Sequence, residues 1–196
     1  MQEPFFSIII PTLNEEKFLP HLLDSLVAQT NKNFEVIVID GKSNDKTIIV
    51  AETYKTKLPS LSIISSKRGL PVQSNNGAKE ARGEWLVFCD ADSILMPYFI
   101  ERVDQFIKQE QPSAFTTWFR PDSSVDKDAI FTLLSNLFIE SMFLVKRPFP
   151  PGPLAVLRKD IFYMVGGYDE SHQYNEDMDL GLRLRKNGVS FLILRE

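Results

Sequence analysis

The chain has 196 residues, of which 43% are hydrophobic and 24% charged, and it contains 15 phenylalanines. That length suits one domain with a sizeable core, and the composition excludes a disordered, collagenous or coiled-coil chain. A formal net charge of -4 without a long Lys/Arg block argues against nucleic acid as a partner, and the single cysteine, Cys89, excludes an intrachain disulfide or a cysteine-based zinc cluster.

Along the chain, the first six residues, MQEPFF, carry no basic flank or small-residue cleavage site, so no secretory signal is read there. No run of about 18 apolar residues follows. These readings point to the cytoplasm, free or peripheral at the cytoplasmic face of a membrane.

Short apolar runs rich in β-branched and aromatic residues occur at Phe5 to Ile10, Phe34 to Ile39, Leu61 to Ser65 and Trp85 to Cys89, as expected of strands buried on both faces. Helical spacing separates them: Leu19, Leu22, Leu23, Leu26 and Val27; then Ile48, Ile49 and Tyr54; then the stretch Gln73 to Ala81, stopped at Arg82-Gly83. The alternation is that of a layered α/β domain with a mostly parallel central sheet flanked by helices. Pro97 fits the first turn of a fourth helix through Tyr98, Ile100, Val103, Phe106 and Ile107.

Beyond residue 112 the reading is a strand at Ala114 to Phe119, an apolar helix from Asp128 to Val145 and a proline-rich turn at Pro148 to Pro153. A strand at Leu154 to Leu157, a short helix from Lys159 to Val165, a helix from Asn175 to Gly188 and a final strand, Val189 to Leu194, follow. No repeat or linker divides the chain, so a single domain is expected over residues 1–196. Residues 1–111 would form its nucleotide-type half, and 112–196 the half that completes the site.

In open α/β sheets ligands sit beyond the carboxyl ends of the strands. Those ends carry Pro11-Thr12-Leu13-Asn14-Glu15, Asp40-Gly41-Lys42-Ser43-Asn44-Asp45, Ser66-Lys67-Arg68-Gly69 and Asp90-Ala91-Asp92-Ser93. Asp90 and Asp92, two apart in extended chain, point the same way and suit an oxygen-liganded Mg²⁺ or Mn²⁺; the same pair also suits a turn that caps the next helix. Asn175-Glu176-Asp177-Met178-Asp179 opens the last helix, where acidic residues stabilise the macrodipole or, alternatively, one carboxylate serves as a general base.

Three other motifs fall short. Gly41-Lys42-Ser43 has Val36 where a phosphate-binding loop needs glycine, no GxGxxG opens the first helix, and Ile94 stands where a haloacid-dehalogenase-type phosphatase has Thr. His21 reads as a surface or packing residue, and His172, in the loop before Asn175, as a loop residue near the site.

Taken together, these segments resemble the family-two glycosyltransferases of the GT-A fold, over nearly the whole chain. The Pro-x-x-Asn-Glu segment is matched by Pro11 to Glu15, and the DDGSTDGT-like pattern by Asp40 to Thr47. The Asn-x-Gly helix start is matched by Asn75-Asn76-Gly77 and the DxD by Asp90-Ala91-Asp92. The GGYDE and ED motifs are matched by Gly166 to Glu170 and Glu176-Asp177. The resemblance implies transfer of a sugar from a nucleoside-diphosphate sugar to an acceptor hydroxyl with inversion. By the same resemblance Pro11, Thr12, Asn14, Glu15, Asp40, Lys67, Arg68, Asn75, Asp90 and Ala91 would hold the sugar nucleotide. Asp90 and Asp92 would hold Mn²⁺ or Mg²⁺, and Asp177 would be the base. Gly166, Gly167, Tyr168 and Glu176 would face a saccharide or lipid-linked acceptor.

A UDP-sugar is expected ahead of a GDP-sugar, although Gly41 replaces the second acidic residue of the pattern and so alters the base contact. The sequence ends at Glu196, where members of the resembled family often continue with acceptor-side or membrane segments. The rival readings are a catalytically silent sugar-nucleotide-binding domain and a metal-dependent phosphatase or nucleotidyltransferase. The apolar stretch 130–149 reads as core, or as a contact with a membrane surface or a second copy of the chain.

Overall fold

A computed structural model describes residues 3–123, 125–144, 154–172 and 175–195. Its first half alternates β1 (Phe6–Thr12), α1 (Leu19–Val27), β2 (Phe34–Asp40), α2 (Thr47–Glu52), β3 (Leu61–Ser65), α3 (Leu70–Glu80), β4 (Trp85–Cys89) and α4 (Phe99–Glu110). Its second half adds β5 (Ala114–Thr117), α5 (Asp126–Leu144), β6 (Leu154–Arg158), α6 (Lys159–Met164), α7 (Glu176–Lys186) and β7 (Phe191–Leu194).

One seven-stranded sheet, ordered β3-β2-β1-β4-β6-β5-β7, runs through both halves. β3, β2, β1 and β4 pair in parallel, β6 runs antiparallel to both its neighbours, and β7 pairs in parallel with β5. The expected mostly parallel sheet flanked by helices is what forms. Its faces carry two cores: Ile8, Ile10, Val36, Val38 and Phe115 lie on the side of α1, while Ile9, Ile37, Leu157, Phe162 and Leu180 pack on the other with α3, α6 and α7. Burial of these aliphatic and aromatic side chains, each worth about 1.5 to 3 kcal/mol, is the main favourable term in folding.

Several expectations need correction. β3 is an edge strand and only partly buried, unlike β1, β2 and β4. On α2 the apolar Ile48 and Ile49 face solvent while Thr47 turns inward, because its hydroxyl accepts the Glu15 N–H and bonds Asp45. α3 starts three residues before Gln73, with Pro71 in its first turn, where a missing N–H costs nothing. α4 begins at Phe99, two residues beyond Pro97. β5 stops at Thr117 because the Phe119 backbone is claimed on both sides by the Asn136 amide, at 2.9 and 3.4 Å.

α5 is turned inside out relative to an ordinary surface helix. Its inward positions are Thr132, Asn136 and Ile139, with Glu140 bonding the Trp118 indole and Arg195. Phe131, Leu134 and Phe138 face outward, at 71%, 60% and 58% exposure, beside exposed Ile130, Leu133 and Leu137. The core reading of this stretch is therefore wrong for that face. The expected turn at Pro148 to Pro153 lies outside the described residues. Among the described residues no helix is long and apolar enough to cross a membrane.

Candidate active site

The parallel strands deliver their loops to one edge, and hydrogen bonds between side chains and backbone lock those loops together. Asn14, in the left-handed region at φ 60°, donates its N–H to Ser43 Oγ at 2.8 Å, and its own Oδ1 accepts the Asn44 N–H at 2.8 Å. The β1 loop is thereby tied to the β2 loop. Asp40 closes the β2 turn: Oδ2 accepts the Lys42 and Ser43 N–H groups at 2.9 and 3.1 Å. Its other oxygen, Oδ1, is buried with no partner. A buried acceptor without a donor costs free energy, and at 1% exposure Asp40 offers this oxygen no opening to solvent.

Gln73 is a residue the sequence reading missed. It is buried on α3; its Nε2 donates to the carbonyls of Thr12 and Ile39 at 2.9 and 2.7 Å, and its Oε1 accepts the Gly69 N–H. Three strand-end segments therefore meet on one amide. A Cβ at position 41 would lie 2.9 Å from Gln73 Oε1, so Gly41 leaves the room that this amide occupies. A polar residue in the first turn of a helix gives no sequence signal of such a role.

A cavity of about 340 Å³ opens over this edge. Pro11, Thr12, Glu15, Arg68, Asp90, Ala91 and Asp92 line it, with Gln73. Of the expected nucleotide residues, Asp40 and Lys67 lie outside this lining, the first buried and the second exposed, while Arg68 is exposed at the mouth. Asn14 is exposed, lies outside the lining and uses its Oδ1 on the β2 loop. Asn75 points elsewhere, toward Tyr168.

Carboxylates from three parts of the chain converge here. Asp90 is pushed up to about 6 by burial, then by Asp92, Glu176 and Glu15. Glu15 is raised by burial, then by Asp92 and Asp45. Asp177 is pushed up to about 7 by burial, then by Glu176 and Asp90, against a hydrogen bond from the Tyr168 hydroxyl at 3.3 Å. The start of α7 thus lies within electrostatic reach of the DxD segment, although 84 residues separate Asp92 from Glu176. Every influence on Asp90 disfavours its charge, and an all-oxygen donor set with excess negative charge fits a hard divalent cation. Of the acceptor-side residues, Gly167 and Tyr168 are buried, Glu176 is half-buried and Gly166 is exposed.

Two other features do not compete. A larger cavity, about 720 Å³, lies at the opposite edge of the sheet, but its cations are committed: Arg82 to Glu35, Arg158 to Asp160, and Lys159 to the Ala81 carbonyl. Asp169, His172 and Asp179 bring ligand atoms within 4.8 Å of one another, yet Asp179 is already held by Arg183 at 2.6 and 2.8 Å.

Residues 7–166 match the model of glycosyl transferase family 2. The chain belongs to that family. This family 2 glycosyltransferase is 31% identical over 198 residues to a PGL/p-HBAD biosynthesis glycosyltransferase of Mycobacterium bovis, covering 95% of the chain and 72% of that relative. It resembles TarS 1-349 of S. aureus, solved with UDP-GlcNAc, with a TM-score of 0.74 and 24% identity, over 96% of the chain and 55% of that structure. The mannosyltransferase PcManGT from Pyrobaculum calidifontis, solved with GDP-Man and Mn²⁺, matches with a TM-score of 0.74 and 19% identity, over 100% of the chain and 57% of its own. The chain thus spans little more than half of either solved structure, and these two likenesses establish the GT-A fold alone.

Proposed function

We propose that this glycosyltransferase moves a sugar from a nucleoside-diphosphate sugar to an acceptor hydroxyl by direct displacement with inversion, with Asp177 as general base. The observation that carries this reading is the approach of the Asp177 carboxylate, raised to about 7, to the Asp90 end of the nucleotide cavity. A base that titrates near neutrality is matched to taking a proton from a hydroxyl as the new bond forms.

In this reading Pro11, Thr12, Glu15 and Asp40 hold the base and ribose, Asp40 by closing the β2 turn, and Arg68 reaches the diphosphate. Asp90 and Asp92 would hold Mn²⁺ or Mg²⁺, which when bound offsets the charge that develops on the diphosphate leaving group. The complexes of TarS with UDP-GlcNAc and of PcManGT with GDP-Man and Mn²⁺ support a nucleotide sugar and a metal. A UDP-sugar is proposed ahead of a GDP-sugar, since the UDP-GlcNAc-bound relative is the more similar in sequence. Residues 1–111 are proposed as the donor half and 112–196 as the acceptor half. Gly166, Gly167, Tyr168 and Glu176 border the acceptor, a saccharide or a lipid-linked sugar.

A cytoplasmic location, free or peripheral at the membrane face, is part of the proposal. The outward face of α5 is proposed as a contact between two copies of the chain. Its six large side chains expose on the order of 700 Å² of apolar surface, about what one partner contributes to a stable interface.

The test of the reaction is Asp177→Asn, which keeps the shape and removes the base. Transfer is expected to fall by ~10² to 10⁴ while the variant stays folded. Near-normal transfer removes Asp177 from the mechanism.

A further inference from the structure

Asn75 lies on α3, in the half of the chain that carries the nucleotide cavity, yet its side chain is used on the other half. Its Oδ1 accepts the Tyr168 N–H at 2.9 Å, and its Nδ2 donates to the Tyr168 carbonyl at 2.9 Å and to Glu170 Oε1 at 3.0 Å. Bonding both the N–H and the C=O of one residue is what a neighbouring strand would do, so the amide substitutes for backbone pairing that this loop lacks. Both amide protons are spent, which leaves none to donate to a ligand.

The loop is built around this clasp. Gly166 and Gly167 take φ of 88° and 70°, in the left-handed region, and a Cβ on Gly167 would lie 2.8 Å from Asn75 Oδ1. Arg183 of α7 donates to the carbonyls of Val165 and Gly167, at 2.6 Å each, so the same loop is bound from the opposite side. Tyr168 is buried between them, its ring edge-on to Phe88 at 5.2 Å and against Phe162 at 5.7 Å. Packing leaves the ring one direction, and its hydroxyl ends 3.3 Å from Asp177 Oδ1.

We propose that Asn75 is a positioning residue for sugar transfer: by clasping the Tyr168 backbone it fixes the hydroxyl that orients the Asp177 carboxylate, and it does not bind the nucleotide. The proposal rests on the reading of Asp177 as the base. It reassigns the Asn-x-Gly segment from the donor to the join between the two halves.

The test uses Asn75→Ala, Asn75→Asp, Tyr168→Phe and the double variant Asn75→Ala/Tyr168→Phe. In Asn75→Ala the Tyr168 amide should exchange hydrogen at least about tenfold faster, whereas Asn75→Asp retains the acceptor but sets a carboxylate against the Tyr168 carbonyl and Glu170, and should lie between Asn75→Ala and the unmodified chain. Calorimetric titration of UDP with Mn²⁺ should give a Kd within about twofold of the unmodified chain for both Asn75 variants. With a turnover assay, kcat should fall about 10- to 100-fold in Asn75→Ala and in Tyr168→Phe with the donor KM unchanged, and the double variant should lose no more than the worse single one. A tenfold weaker Kd with the Tyr168 amide still protected, or multiplicative losses in the double variant, overturns the proposal. An unmodified chain without turnover sinks the transferase reading instead, and the exchange and titration arms still decide whether Asn75 clasps the loop or holds the nucleotide.

Discussion

At the residue scale, Asp177 and Asp90 are placed where burial and like charge oppose ionisation. For Asp177, raised from 3.8 to about 7, the folded chain holds a proton that the unfolded chain releases between those values, so its contribution to stability falls as pH rises across that window. Above about pH 7 the ionised carboxylate is a liability to the fold and, in the proposed reaction, the form that takes the proton. Two outcomes are expected. Asp177→Asn should raise the melting temperature at pH 8 and change it little at pH 4, read by calorimetry; no gain at pH 8 would mean the carboxylate is not opposed by its surroundings. The pH profile of kcat/KM should climb with a limb near 7, and a profile flat from pH 5 to 8 would exclude Asp177 as the titrating base. Asp90, pushed up to about 6, would make protons competitors of the proposed metal. Mn²⁺ affinity should therefore weaken by up to about tenfold per pH unit below 6. Titration that shows equal affinity at pH 5 and pH 7.5 would count against Asp90 as a ligand.

At the scale of elements, α5 and the far edge of the sheet carry the next predictions. If the outward face of α5 joins two copies, Phe131→Glu with Leu134→Glu should convert a dimer to a monomer in sedimentation velocity without loss of fold. A monomeric unmodified chain contradicts that contact, and vesicle binding by such a monomer would assign the face to lipid. At the opposite edge, buried Glu35 of β2 accepts the Ser7 hydroxyl at 2.7 Å, the Arg82 N–H at 2.6 Å and its Nε at 2.8 Å. Burial alone would raise this carboxyl, but bonds from Arg82 and Ser7 outweigh it and hold it below its ordinary value. Glu35→Ala should cost about 1 to 3 kcal/mol by leaving those donors unpaired, read by urea denaturation. A loss under a few tenths would show that water replaces the carboxylate.

At the scale of the whole molecule, what could be read from the sequence follows from how local the cause is. β1, β2 and β4 are legible because a strand covered on both faces is a continuous apolar run, and the place of the candidate site follows because strand ends in such sheets open on one edge. The second half resists reading because β6 enters between β4 and β5 in the opposite direction, a pairing between distant segments that no local pattern records. The face of α5 is illegible for a different reason: a stripe of Thr132, Asn136 and Glu140 on an otherwise apolar helix ordinarily marks the solvent side, and here Asn136 and Glu140 turn it inward through Phe119 and Trp118, just after β5. The motif residues converge largely as their types suggest, but Asn75 and Asn14 are bound into the protein, and Gln73 carries loops that the pattern left unassigned.

The central claim is a metal-assisted nucleotide-sugar site at the ends of β1, β2 and β4. Calorimetric titration of UDP and GDP tests it most directly, with Mn²⁺, with EDTA, and with Asp92→Ala in place of the unmodified chain. The account predicts binding in Mn²⁺, stronger for UDP, that is lost in EDTA and in the variant. Binding of neither nucleotide, or binding indifferent to both the metal and Asp92, would contradict it.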